Sequence, residues 1–141
     1  MEIKTKQADL LFSCISDETI SDVANEIVAL MQTNKSAIID STTQFLEPSC
    51  FEEEKLLKTE LYNGLKGFAK YLGGKTKKNL LSVEDKQVIL SIYERASLSN
   101  GFKVVGLAPN ILFFSKEESP LLKKAAERAA KNGKQVDAVF F

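Results

Sequence analysis

The stretch Ala37-Ile38-Ile39-Asp40-Ser41-Thr42-Thr43-Gln44-Phe45-Leu46-Glu47-Pro48-Ser49-Cys50-Phe51-Glu52 decides how the rest of the chain is read. Ala37 to Asp40 is a short apolar run closed by an acid, the pattern of a buried strand ending at a sheet edge. A polar patch, Ser41 to Gln44, separates it from Phe45-Leu46. Ser49 and Glu52 have the S-x-x-E spacing of a capping box, which predicts a helix from Cys50 onward. Glu52, Glu53 and Glu54 then fall in its first turn, where acids suit the positive end of the helix dipole. The expectation is a buried strand that delivers one exposed hydroxyl, Ser49, to a helix N-terminus.

On the N-terminal side, Ile3 and Thr5 alternate with charges and Leu10 to Ile15 is an apolar run, so strands are expected there. Ser16 or Asp17 starts a helix whose apolar positions Ile20, Val23, Ala24, Ile27, Val28, Leu30 and Met31 follow three-four spacing. With Ala37–Asp40 as the next strand, this predicts a βαβ-like unit.

On the C-terminal side, the helix from Cys50 runs through Leu56, Leu57, Leu61 and Leu65 to about Lys70, where Gly64 and Gly67 weaken it. Gly73-Gly74-Lys75-Thr76-Lys77-Lys78-Asn79 reads as a mobile basic loop. Its Gly-Gly-Lys-Thr resembles the end of a phosphate-binding loop, but Ala69 stands where the earlier glycine is required and no strand precedes it. Ser82-Val83-Glu84-Asp85 caps a helix with Val88, Ile89, Ile92, Tyr93 and Ala96 on one face, stopped by Asn100-Gly101. Phe102 to Leu107 is a strand, Ala108-Pro109-Asn110 a turn, and Ile111 to Phe114 an apolar run that fits strand or helix, with strand preferred. Pro120 opens a helix that runs to Lys131 and stops at Asn132-Gly133. Val136 to Phe141 closes the chain as a strand.

The chain has 141 residues, enough for one domain with its own core, and residues 1–141 are read as one, with a helical insertion near 66–82. Nineteen basic residues balance nineteen acidic ones, so no bulk charge directs it to nucleic acid, and Lys70, Lys75, Lys77 and Lys78 beside Tyr71 are read as a solvated edge or part of a protein interface. The apolar runs are too short to span a membrane and Met1 to Lys4 does not begin a secretory signal, which points to the cytoplasm. The chain has no histidine and two separated cysteines, Cys14 and Cys50. That composition rules out histidine-based hydrolase arrangements within one chain and argues against a zinc site. Neither a metal nor a cofactor is expected. Asp40 at a strand end invites aspartyl-phosphate chemistry, but no acid pair precedes it to hold magnesium.

The order of elements up to Pro109 resembles a STAS domain, the fold shared by anti-sigma-factor antagonists and the cytoplasmic tails of sulphate transporters. In that family a buried strand runs into a segment of the form aromatic, apolar, Asp, Ser/Thr, Ser/Thr, Gly, apolar at the start of the second helix. Phe45-Leu46-Glu47-Pro48-Ser49-Cys50-Phe51 is similar, and Ser99 to Pro109 resembles the family's later glycine, strand, Val-Gly and proline pattern. Glu47, Pro48 and Cys50 depart from the family's aspartate, hydroxyl residue and glycine. The resemblance implies a single α/β domain, a mixed sheet with helices mainly on one face. It implies a non-enzymatic regulatory module that binds a protein partner, in the family a kinase-type anti-sigma factor. The contact would involve Phe45, Glu47, Ser49, Phe51 and Glu52, with Ser49 at the position of the phosphorylated serine. Two other readings come from different classes. One is a small enzyme or ligand-binding domain for a phosphorylated metabolite, using Asp40, Ser41 and Thr42. The other is a structural subunit of an oligomer.

Overall fold

A helix of 27 residues, Phe51–Lys77, is the element against which four others pack, three helices and a strand. The computed structural model describes residues 17–98, 104–114 and 119–141. Within them the order is α1 (Asp17–Thr33), α2 (Lys35–Leu46), α3 (Phe51–Lys77), α4 (Val83–Arg95), β1 (Ser97–Leu98), β2 (Val104–Gly106), β3 (Ile111–Phe114), α5 (Pro120–Lys131) and β4 (Asp137–Phe140). The fold is mixed α/β and mostly helical. The strands form two separate pairs, an antiparallel β1–β2 and a parallel β3–β4, rather than one mixed sheet among the described residues.

Helix α3 buries Leu57, Leu61, Gly64, Leu65, Phe68, Ala69 and Leu72, a three-four stripe that faces α1, α2, α5 and β3. Each large apolar side chain on that stripe contributes about 2 kcal/mol by leaving water. Phe68 anchors the far end of the core, stacked on Phe113 at 4.7 Å between ring centres and edge-on to Phe141 at 5.5 Å. Helix α1 faces the same core with Ile20, Val23, Ala24, Ile27, Leu30 and Met31, as its spacing predicts.

The segment Ala37–Asp40 is helical, not a strand. Asn34 alone separates α2 from α1, and the buried positions of α2, Ile39, Thr42, Thr43 and Leu46, follow a helical spacing of three, one and three. An apolar run of three closed by an acid fits either a strand or a helix, and Thr42 and Thr43 decide between them. Both are buried, and the Thr43 hydroxyl donates to the Ile39 carbonyl one turn back at 2.7 Å, so the helix itself satisfies that polar group. The expected N-terminal βαβ unit therefore lacks its second strand. Its first, Leu10 to Ile15, lies outside the described residues, as do Ile3 and Thr5 and the stop at Asn100-Gly101. A β3–α5–β4 unit stands at the C-terminal end instead, in register from Ile111 opposite Asp137 to Phe114 opposite Phe140.

Gly73 to Lys77 continue α3 and are not a loop. The Thr76 hydroxyl donates to the Leu72 carbonyl at 2.8 Å, and the helix closes only at Lys78. Asn79 then takes a left-handed turn, φ 56°, and the chain enters α4 through the capping box of Ser82 and Asp85 that the sequence predicts. Asp85 does double duty: one oxygen accepts from the Ser82 N–H at 3.0 Å, the other from the Tyr71 hydroxyl of α3 at 2.7 Å. Burial, with Asp85 beside it, pushes the Tyr71 phenol up to about 12. Residues 66–82 are thus the last turns of α3 and the link that fastens them to α4.

Polar contacts also join segments distant in sequence. Arg95, at the end of α4, forms an ion pair with the buried Asp137 at the start of β4. Glu60 on α3 accepts from the Leu122 N–H at 2.9 Å, so a carboxylate from α3 occupies the N-terminal turn of α5, which has no acid of its own there.

Candidate functional site

The turn between α2 and α3 carries most of the residues singled out in the sequence. Helix α2 ends at Leu46, and Glu47 takes the left-handed conformation of a helix C-cap, φ 51° and ψ 69°. Its N–H bonds back to the Thr43 and Gln44 carbonyls, and Pro48 then prevents the helix from continuing. Glycine is the usual residue for such a cap, so Glu47 occupies it at a backbone cost. Its carboxylate supplies compensation by accepting from Lys134 Nζ at 2.8 Å. That hydrogen bond and the Lys134 charge hold the Glu47 carboxyl below the usual range.

Ser49 is not the N-cap of α3. Cys50 occupies that position with extended backbone, φ −155° and ψ 169°, and its side chain makes no capping bond. The capping carboxylate is Glu53 rather than Glu52. Its Oε2 accepts from the Ser49 backbone N–H at 2.6 Å and from the Ser49 hydroxyl at 2.5 Å. The whole arrangement sits one residue later than the S-x-x-E spacing predicts, because Ser49 precedes the first capping position.

Two cations from the C-terminal segment clamp this turn. Arg128 on α5 donates to Glu53 Oε1 at 2.7 Å and to the carbonyls of Leu46 and Glu47, each at 3.3 Å. Lys134 donates to the Phe45 carbonyl at 2.5 Å, and its Nζ lies 5.0 Å from the centre of the Phe45 ring. Glu53 is largely covered, and the Ser49 hydroxyl, the Ser49 N–H and Arg128 together bring its carboxyl down to about 2. A carboxylate so reluctant to take a proton orients the Ser49 hydroxyl and does not activate it as a nucleophile.

Of the five residues expected at a partner surface, Ser49, Phe51 and Glu52 share the exposed start of α3, with Phe51 72% exposed. Glu47 is exposed beside them, and Phe45 is half-buried under Lys134. The second candidate set does not converge. Asp40 is exposed and pairs with Lys58 of α3 at 3.5 Å, Ser41 is exposed, and Thr42 is buried. Thr42 turns inward and lines, with Leu61, Leu65, Ile111 and Phe113, a void of about 10 Å³, far too small for a metabolite.

Sequence reasoning missed Arg128, Lys134 and the role of Glu53, which meet only through the tertiary fold. Among the described residues no group of three or more cysteine, aspartate or glutamate side chains is arranged to hold a metal ion. No described helix is long and apolar enough to cross a membrane. Comparison with family models, with curated proteins and with solved structures finds no match.

Proposed function

We propose that this chain is a non-enzymatic regulatory module that binds a protein partner at the α2–α3 corner, and that Ser49 is the residue through which the contact is switched. The observation that carries the reading is the Ser49 hydroxyl. It is exposed, it is 2.5 Å from Glu53, and the other oxygen of that carboxylate is held by Arg128. The support comes from this site and not from the order of elements, since the segment before it is a helix where the STAS pattern has a strand.

Phosphoryl transfer to Ser49 would form an Oγ–P bond and release the hydroxyl proton, with a nucleoside diphosphate leaving from the donor triphosphate. The hydrogen bond to Glu53 then has no donor, and nearly two negative charges face an ionised carboxylate. Arg128, bonded to the other oxygen of Glu53, is a cation able to answer them, and the fork of a guanidinium suits phosphate. Moving Arg128 from Glu53 toward Ser49 would loosen its bonds to the Leu46 and Glu47 carbonyls. A charge added at the surface would in this way reach the hold of α5 on the corner.

Incubating the chain with lysate of its native cells and ATP, followed by peptide mapping, tests the switch. Phosphate is expected on the peptide that holds Ser49 and is lost in Ser49→Ala. Stoichiometric phosphate elsewhere, with none on Ser49, would contradict the assignment.

A further inference from the structure

The groove between the α1–α2 junction and the middle of α3 is lined by Met31, Gln32, Lys35, Tyr62, Leu65, Lys66, Ala69 and Lys70, and has a volume of about 360 Å³. Its floor is apolar and buried: Met31, Leu65 and Ala69. Its rim carries three exposed lysines and no acid. On α3, Tyr62, Lys66 and Lys70 succeed one another at four-residue steps and therefore lie along one side of the helix. Lys35 comes from the first turn of α2 and meets them across the groove.

Two features make this more than a solvated face. Lys35 and Lys66 bring their ammonium groups to the same Tyr62 ring, 5.3 and 5.9 Å from its centre. Among the described residues, Lys35, Lys66 and Lys70 form no ion pair with a carboxylate. Like charges drawn together without a counterion repel, and an anion seated between them reverses the sign of that energy. The C-terminal end of α1 and the N-terminal end of α2 adjoin here, so their opposite partial charges offset and the lysines set the potential.

We propose that this groove binds a small organic monophosphate with a flat apolar body, the class to which nucleoside monophosphates belong. The phosphate lies among Lys35, Lys66 and Lys70, compact point charges that suit a dianion. The flat body rests on Met31, Leu65 and Ala69 beside the Tyr62 ring, with the Gln32 amide at the edge to hydrogen-bond a polar substituent. The volume falls at the lower end of the range for small-molecule pockets, which suits one ring system and one phosphate. This site is separate from the Ser49 corner and shares no residue with it.

Calorimetric titration of the whole chain with adenosine, guanosine and uridine monophosphates tests the proposal, with inorganic phosphate, free nucleosides and a single-stranded DNA of about a dozen nucleotides as further arms. Saturable binding of at least one monophosphate is expected, weakening as salt is added. Lys35→Gln or Lys66→Gln should weaken it by at least about tenfold, the loss of one charge-assisted hydrogen bond. Lys77→Gln, a surface lysine outside the groove, should leave it unchanged. The proposal is overturned if no monophosphate binds, if Lys66→Gln binds as the unchanged chain does, or if inorganic phosphate binds as tightly as the esters. DNA that binds more tightly than every mononucleotide, and that depends on Lys75 and Lys78, would also overturn it. That result would make the neighbouring, more open surface of Lys70, Tyr71, Lys75 and Lys78 a nucleic-acid track.

Discussion

Gly64 of α3 lies directly against the backbone of Phe113 in β3, so closely that a Cβ at Gly64 would overlap the Phe113 carbonyl oxygen. The obstacle is backbone, which cannot swing aside as a side chain end can. Gly64→Ala removes a glycine from a helix interior, a change worth roughly 1 kcal/mol in its favour where there is room. Here the clash reverses the sign. We expect a loss of about 2–3 kcal/mol in chemical unfolding, as for other overpacked sites, while Gly74→Ala, with open space around it, should be neutral or stabilising.

The Arg95–Asp137 pair is the polar fastening of β4, and Asn110 Nδ2 adds a contact to Asp137 Oδ2 at 3.3 Å. Asp137→Ala strands a guanidinium that is mostly covered, and should cost about 3 kcal/mol in urea unfolding. Arg95→Met with Asp137→Leu removes both charges, and should recover a large part of that loss.

Glu53 sets an acid limit on the corner. Its folded carboxyl, at about 2, lies well below the ordinary glutamate value, so the ionised form favours the folded state. That contribution is complete above the unfolded value and is lost as pH falls from about 5 toward 2. In Glu53→Gln the loss of stability between those pH values should be visibly smaller, while stability at pH 7 falls by roughly 1–2 kcal/mol. Thermal melts from pH 2 to pH 7 on both chains check this; parallel curves would show that Glu53 is not the group responsible.

How much of this was legible in the sequence depends on how local the cause is. The Ser82–Asp85 box, the Pro120 start, the Asn132-Gly133 stop and the one-faced spacing of α1 are all decided within a few residues, and they stand as read. Ala37–Asp40 is ambiguous because three apolar residues and an acid fit both periods, and the deciding side chains, Thr42 and Thr43, look like surface residues until the Ile39 carbonyl satisfies one of them. Gly64 reads as a weak point in a helix, whereas its reason is a strand backbone 49 residues on, by difference of 113 and 64. Arg128 and Lys134 reach the corner from 75 and 87 residues away, distances at which no local pattern gives a signal. The groove is half visible: the Tyr62, Lys66, Lys70 series is on one helix, but Lys35 comes from an element whose apolar run also fits a strand.

Phe51 tests whether the corner is a contact surface at all. Its ring is 72% exposed, so Phe51→Ala should leave the melting temperature within a degree or two, on the scale of surface substitutions. If the corner meets a partner, the same change removes an aromatic anchor and should weaken binding by about tenfold or more. Unchanged affinity would place the contact elsewhere.

The most direct test of the account is the affinity of the partner retained by the unchanged chain for three forms of it: unchanged, Ser49→Ala and Ser49→Asp. Neither substitution removes a side-chain cap, since Cys50 holds that position without one, so the folded corner should survive both. Ser49→Ala gives up only the hydroxyl bond to Glu53 and should bind within about threefold of the unchanged chain, a cost near one modest hydrogen bond. Ser49→Asp puts a second carboxylate against an ionised Glu53 and draws on Arg128, and should weaken the partner by about tenfold or more. If Ser49→Asp holds the partner as tightly as the unchanged chain, with its melting temperature intact, charge at Ser49 does not govern this surface and the proposed switch is wrong.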